Sequence, residues 1–197
     1  MDKRGGILSF LIILNLVYVA AEAGFGFWTG SLGLLSDAGH NLGDAFSLVS
    51  LLLAFRMESS GKGGALVPIL FVLNAVVLLF TAGAVFSEAV SRLCNPGNVV
   101  LSGTIISVTA GVGIVVNGVT AVILGSMAGK DRGTSGIFRY MIADTLVSVA
   151  VVVSGLFVRF AGYSAADSYV SLAIVLVLLY TACDFLFRFF KTKQIAQ

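Results

Sequence analysis

Three ionisable residues crowd one short stretch of an otherwise apolar segment: Asp37, His40 and Asp44 in LSDAGHNLGDAF, residues 35–46. His40 is the single histidine of the chain. On a helix, His40 and Asp44 are four residues apart and project from one side, about 6 Å from each other along the axis. An imidazole and a carboxylate so placed can grip one cation. Asp37 stands three residues before His40 on a similar face, either bonded to the ligands from outside or lining an exit path. A further carboxylate, Asp144, opens the apolar run DTLVSVAVVVSGLF and has no lysine or arginine one turn away. Ionisable groups in hydrocarbon are costly unless partnered, and they mark functional sites there. Two such carboxylates repel unless a cation or a proton joins them. His40, Asp44 and Asp144 therefore read as a cation site.

The elements that must carry these residues follow from composition. Of 197 residues 58% are hydrophobic and 11% charged, against about a quarter charged in a soluble domain. The fold class is an all-α membrane protein. Six apolar runs, at 7–28, 31–55, 65–91, 101–126, 137–160 and 166–190, each approach or exceed the roughly 20 residues that a span needs. The breaks between them are too short for a second domain, so residues 1–197 read as a single transmembrane domain. The sequence AEA at 21–23 imitates the cleavage site of a secretory signal, but the apolar run continues through GFGFW and reads as a genuine first span.

Six spans put both termini on one side. That side collects Lys3, Arg4, Arg56, Lys62, Lys130, Arg132, Arg139, Arg188, Lys191 and Lys193, and only Arg92 and Arg159 fall on the other. The excess of positive charge predicts cytoplasmic termini. The same dispersion of basic residues along membrane flanks excludes a nucleic-acid patch. Trp28, Tyr163 and Tyr169 fall near the expected outer boundary, as an interfacial aromatic belt does. Counted from that boundary, Asp44 lies about 20 Å deep and Asp144 about 24 Å deep, so the two carboxylates share a level in a hydrocarbon layer about 30 Å thick.

Other polar residues have structural readings. Glu88 with Arg92, and Asp184 with Arg188, are i,i+4 ion pairs. Ser164 and Asp167 form an S-x-x-D capping pattern at the start of span six. Asn15, Asn74 and Asn117 suit interhelical hydrogen bonds. Gly24 and Gly26 suggest close helix packing. Cys94 and Cys183 lack a CxxC spacing and read as two unpaired thiols. No HExxH motif and no second histidine support an enzyme.

The sequence SLGLLSDAGHNLGDAFSLVSLLLA at 31–54 closely matches the second-span signature of the cation diffusion facilitator family. Asn15 and Glu22 in span one, Asn74 and SEAVSRLCNP at 87–96, and DTLVSVAVVVSGLFVRFAGYSAADSYVSL at 144–172 are similar to that family's other spans. The resemblance covers essentially the whole chain. It implies a transport site built from two residues four apart in span two, here His40 and Asp44, and two four apart in span five, here Tyr140 and Asp144. Histidine is common at the Tyr140 position in the family. A phenol is a poor zinc ligand beside imidazole, so Tyr140 either completes the shell in a weaker site or gates the cytoplasmic approach.

The resemblance further implies efflux of a divalent metal by proton antiport, a secondary active transporter and no enzyme. Zinc comes first, with cobalt, cadmium, manganese and iron(II) as other cargoes of an oxygen-rich site. No cofactor is expected. The partners are the lipid bilayer, the metal ion and protons, with a homodimer or a heterodimer with a related transporter as the assembly. The chain ends at KTKQIAQ, so it is expected to lack the family's soluble C-terminal domain. The location is the plasma membrane if the source is prokaryotic. The alternative function is a non-transporting subunit or regulator whose site Tyr140 has disabled.

Overall fold

The computed structural model describes residues 3–58, 66–95, 101–128 and 132–195. They form six α-helices: α1 (Lys3–Thr29), α2 (Leu32–Glu58), α3 (Leu66–Cys94), α4 (Gly103–Ala128), α5 (Arg132–Ala161) and α6 (Ala165–Ile195). No strand occurs among the described residues. The helices run longer than the apolar runs, because backbone hydrogen bonding continues into the polar flanks. Thus α5 already begins at Arg132 and α6 continues to Ile195.

Five helices, α1, α3, α4, α5 and α6, are long and apolar enough to cross a membrane. The protein is an integral, multi-pass membrane protein. The polarity is turned inside out relative to a soluble bundle: Phe10, Phe27, Trp28, Phe80, Phe160 and Tyr180 face outward, while Asn15, Glu22, Asp37, His40, Asn41, Asp44, Asn117 and Asp144 are buried. A lipid environment makes both placements favourable, since tails solvate apolar side chains and leave polar ones to pair internally. Trp28, Tyr163 and Tyr169 are exposed at the end of the bundle that holds the α1–α2 and α5–α6 turns.

The α1–α2 and α5–α6 hairpins are tight. Each turns on a glycine in the left-handed region, Gly30 (φ 69°) and Gly162 (φ 63°), the conformation that closes a helix C-terminus and that other residues adopt at a cost. Helix α4 packs most extensively on α5, and α3 on α6. Helix α2 touches each of the other five, so the most functional-looking helix is also the central one.

Its close approach to α3 is made by Gly39 and Gly43. A Cβ at Gly39 would run into the Thr81 side chain, and one at Gly43 would lie 3.1 Å from Asn74 Oδ1. The four-residue spacing of these glycines is the small-xxx-small pattern of close membrane helices. Gly26 is a close-packing position too, against Leu35, whereas Gly24 meets nothing within 4 Å and the expectation for it is corrected. The first helix packs on α2 and α4, as an integral span does.

The hydrophobic core has two parts. The larger joins Leu78, Val85 and neighbours on α3 to Ile174 and Leu178 on α6, with Leu34 and Val151 from α2 and α5. A smaller one, Leu8, Leu11, Leu48, Ala121 and Leu124, closes the end of the bundle where α1 begins and α2 and α4 end.

Asp167 departs from the sequence reading. Its carboxylate does not serve its own helix but caps α2: it accepts hydrogen bonds from Ser31 Oγ (2.6 Å), Leu32 N (2.7 Å) and Gly33 N (3.2 Å). The start of a helix presents unpaired N–H groups that an anion satisfies, and here the anion comes from a helix more than 130 residues away. Glu88 and Arg92 do form the ion pair that their spacing suggests, at 2.9 Å, and Arg92 Nη1 also donates to Gly30 O at 2.6 Å. Arg188 of the other expected pair lies outside the described side chains.

Candidate metal centre

The glycine pair that seats α2 on α3 leaves the adjoining face of the helix, one position further along, turned toward α5. His40 and Asp44 occupy that face. Asp144 meets them from α5: His40 Nε2 stands 3.1 Å from Asp144 Oδ1. One ligand atom from each of His40, Asp44 and Asp144 can be chosen so that all three lie within 4.8 Å of one another, and all three residues are buried. Among the described residues this is the one group of three or more metal-binding side chains so arranged.

Several of its atoms have nothing to bond. His40 Nδ1, Asp44 Oδ2 and Asp144 Oδ1 are buried without a hydrogen-bond partner; the His40–Asp144 approach is close but not aligned as a hydrogen bond. Buried polar atoms are nearly always paired, so three buried ligand-type side chains drawn within 4.8 Å of one another, with unpaired atoms among them, suit a divalent cation. The donor chemistry fits as well. Imidazole and carboxylate together bind zinc and neighbouring transition metals, and three protein ligands leave a position for water or an outgoing contact. Tyr140 belongs to α5, one turn before Asp144; its side chain lies outside the described residues.

Behind the three candidate ligands runs a chain of amides. Asn117 on α4 donates from Nδ2 to Asp144 Oδ2 (2.5 Å) and to Asn41 Oδ1 (3.0 Å). Asn41 on α2 donates from its own Nδ2 to Glu22 Oε2 on α1 (2.8 Å). Glu22 Oε1 accepts from Tyr18 OH at 2.7 Å. Such outer bonds fix the orientation of metal-binding side chains. Asp37 is placed beside this chain and not among the ligands: it lies between Glu22 and Ser148 and receives a long 3.5 Å contact from Asn41.

Asn15 and Asn74 make the simpler interhelical bonds expected of them, to Thr120 Oγ1 (3.1 Å) and to Gly43 O (2.9 Å). Sequence reasoning gave no role to Asn41 and did not connect Glu22 to the site. The signal was present in part: Asn41 is four residues after Asp37, and Glu22 lies in an apolar run with no lysine or arginine one turn away.

The chain matches the cation efflux transmembrane domain family over residues 8–190. It is 33% identical over 190 residues to the cadmium, cobalt and zinc/H(+)-K(+) antiporter of Bacillus subtilis, covering 90% of this chain and 59% of that protein. It is 29% identical over 188 residues to the metal cation efflux system protein CzcD of Cupriavidus metallidurans, covering 90% and 59%. With the zinc transporter ttm-1 of Caenorhabditis elegans it shares 27% over 200 residues, covering 89% and 48%. The chain thus spans about half to three fifths of the length of these curated relatives.

Proposed function

The chain belongs to the cation efflux family, and from that premise we propose that it exports a divalent metal cation in exchange for protons, with His40, Asp44 and Asp144 holding the metal in transit. The observation that carries this reading is the convergence of three buried residues, with one ligand atom of each within 4.8 Å of the others, between α2 and α5. A site between helices near mid-membrane is the usual place for the substrate of a secondary transporter.

Metal binding requires a neutral imidazole and ionised carboxylates, so protons and metal compete for the same atoms. In the inward-open state the metal displaces protons from His40, Asp44 and Asp144. In the outward-open state protons displace the metal. Seating α2 by Gly39 and Gly43 on α3 while its ligands face α5 makes the site sensitive to small movements of one helix pair against another. Zinc is the first cargo to test, because imidazole is present and zinc stands in the names of relatives; cobalt and cadmium stand in one of those names too. Manganese and iron(II) are further cargoes compatible with two carboxylates.

The test is metal flux in liposomes reconstituted with the full chain, with zinc, cobalt and manganese measured against an imposed proton gradient. Proton-driven zinc flux that Asp144→Ala abolishes supports the proposal. No flux from the parent but flux from Tyr140→His overturns it in favour of a silent subunit. Flux indifferent to Asp144→Ala overturns the site assignment.

A further inference from the structure

Glu22 and Asp37 are both wholly buried, and neither belongs to the metal-binding set. We propose that these two carboxyl groups form a separate proton-carrying pair, sharing one proton that leaves when metal binds at His40, Asp44 and Asp144. The inference rests on that reading of the metal site for its coupling, but not for the existence of the pair.

The hydrogen bonds hold the two groups together. Both oxygens of Glu22 receive donors, Oε1 from Tyr18 OH and Oε2 from Asn41 Nδ2. These two donors hold Glu22 in place beside Asp37, and a carboxyl group still accepts such bonds while it shares a proton. Asp37 has one long contact at Oδ1 and none at Oδ2, and Ser148 Oγ beside it is equally without a hydrogen-bond partner. Asp37 and Glu22 lie within hydrogen-bonding reach of each other, with Asn41 Nδ2 beside both, so one proton can sit between the two carboxyl groups. Two adjacent carboxylates out of reach of water cannot both carry charge, and one shared proton resolves the conflict.

The groups facing the pair come from each helix packed around it. Tyr18 faces it from α1; His40 and Asp44 lie further along α2; Asp144 stands on α5. Helix α4 contributes the neutral Asn117 and the Thr109 carbonyl, which Tyr18 OH also approaches at 3.3 Å. The hydrogen bonds that reach Glu22 come from neutral side chains, Tyr18 and Asn41. With no cation of the protein balancing the pair through these bonds, its charge is set by protons and by whatever cation arrives next door.

The link to the metal is the amide chain. Asn117 bonds Asp144 and Asn41, and Asn41 bonds Glu22, so one carboxylate of the metal site and one of the pair are joined through two oriented amides. A divalent charge at Asp144 favours the doubly ionised pair by direct Coulomb attraction, which is strong where water is absent. The O–H bond that holds the shared proton then breaks, the electron pair stays on the carboxylate left behind, and the proton leaves to the compartment from which the metal came. When the metal departs, the repulsion returns and the pair takes up one proton. The pair thereby adds one proton to those exchanged at the ligands themselves.

Two measurements on the purified full chain test this. The first is infrared spectroscopy of the metal-free protein at neutral pH. A neutral-carboxyl stretch that disappears in both Glu22→Gln and Asp37→Asn supports the pair; a spectrum in which neither variant removes such a band overturns it, whether or not metal binds. The second is zinc titration calorimetry in buffers of different ionisation enthalpy, which counts protons released per metal. Each variant is expected to release about one proton fewer than the parent while keeping zinc affinity within about tenfold, the lower end for outer-sphere changes. An unchanged proton count in folded variants that still bind zinc overturns the inference. A parent that binds no zinc but shows the paired carboxyl band supports the proton site and overturns the metal assignment instead.

Discussion

Asp167 offers the sharpest check on how α2 is held. Its side chain is fully buried, and replacement by alanine deletes three hydrogen bonds at once: those from Ser31 Oγ, Leu32 N and Gly33 N. Ser31 loses least, because its hydroxyl still accepts from Leu34 N at 3.2 Å. Leu32 N and Gly33 N lose their acceptor in a place water does not reach. Hydrogen bonds to charged groups contribute about 1.5–3 kcal/mol each. Removing the carboxylate also removes the cost of burying it, which offsets part of that loss. The net expectation is about 2–4 kcal/mol for Asp167→Ala, at or above the range for losing an ordinary helix cap. Asp167→Asn keeps an acceptor for Leu32 N and can donate to Ser31 Oγ, so it is expected to cost only about 1 kcal/mol. Reversible denaturation in mixed micelles measures both, and hydrogen exchange at 32–35 reports whether the first turn of α2 has loosened. If Asp167→Ala unfolds within about 0.5 kcal/mol of the parent, as an inconsequential surface substitution does, with those amides still protected, the clamp between α6 and α2 is refuted.

Two other substitutions probe the surroundings of the site. Asn117→Ala removes the donor to Asp144 and the bridge to Asn41; zinc affinity, read by competition with a fluorescent chelator, is expected to fall about 10–100-fold. In the α4–α5 seam a Cβ at Gly103 would collide with the backbone of Gly155 and Arg159, whereas Gly118 faces open space. Gly103→Ala should therefore destabilise by about 1–3 kcal/mol and Gly118→Ala should be close to neutral or mildly stabilising, as thermal melts would show.

Five helices were legible because a membrane span advertises itself by an apolar run; α2, interrupted by Asp37, His40 and Asp44, is a helix of similar length that falls outside that five. The level shared by Asp44 and Asp144 was legible too, because helical rise converts residue number into depth. What sequence could not supply was the identity of partners across helices. Ser164 and Asp167 look like a local cap because the only partners visible in a sequence are neighbours; the donors that claim Asp167 lie at positions 31–33. Asn117 announced a bond across an interface without saying that the acceptor is Asp144. Asn41 gave no sign of its place between Asn117 and Glu22, since an asparagine beside a histidine has no pattern of its own. Glu22 lies in a helix that is otherwise apolar enough to span, and only the meeting of α1 with α2 reveals that its carboxylate faces Asp37.

The position of α2 among its neighbours has a consequence for how the chain is made. Apart from serines that bond within α2 itself, its polar groups meet partners synthesised later: Asn117 of α4, Asp144 of α5 and Asp167 of α6. During synthesis α2 therefore enters the bilayer before most of the side chains that satisfy it exist, with Glu22 of α1 as its one early polar partner. Until α6 is inserted, the first turn of α2 has no anion and its buried charges no complete set of neighbours. The second of these six helices is the last to be finished.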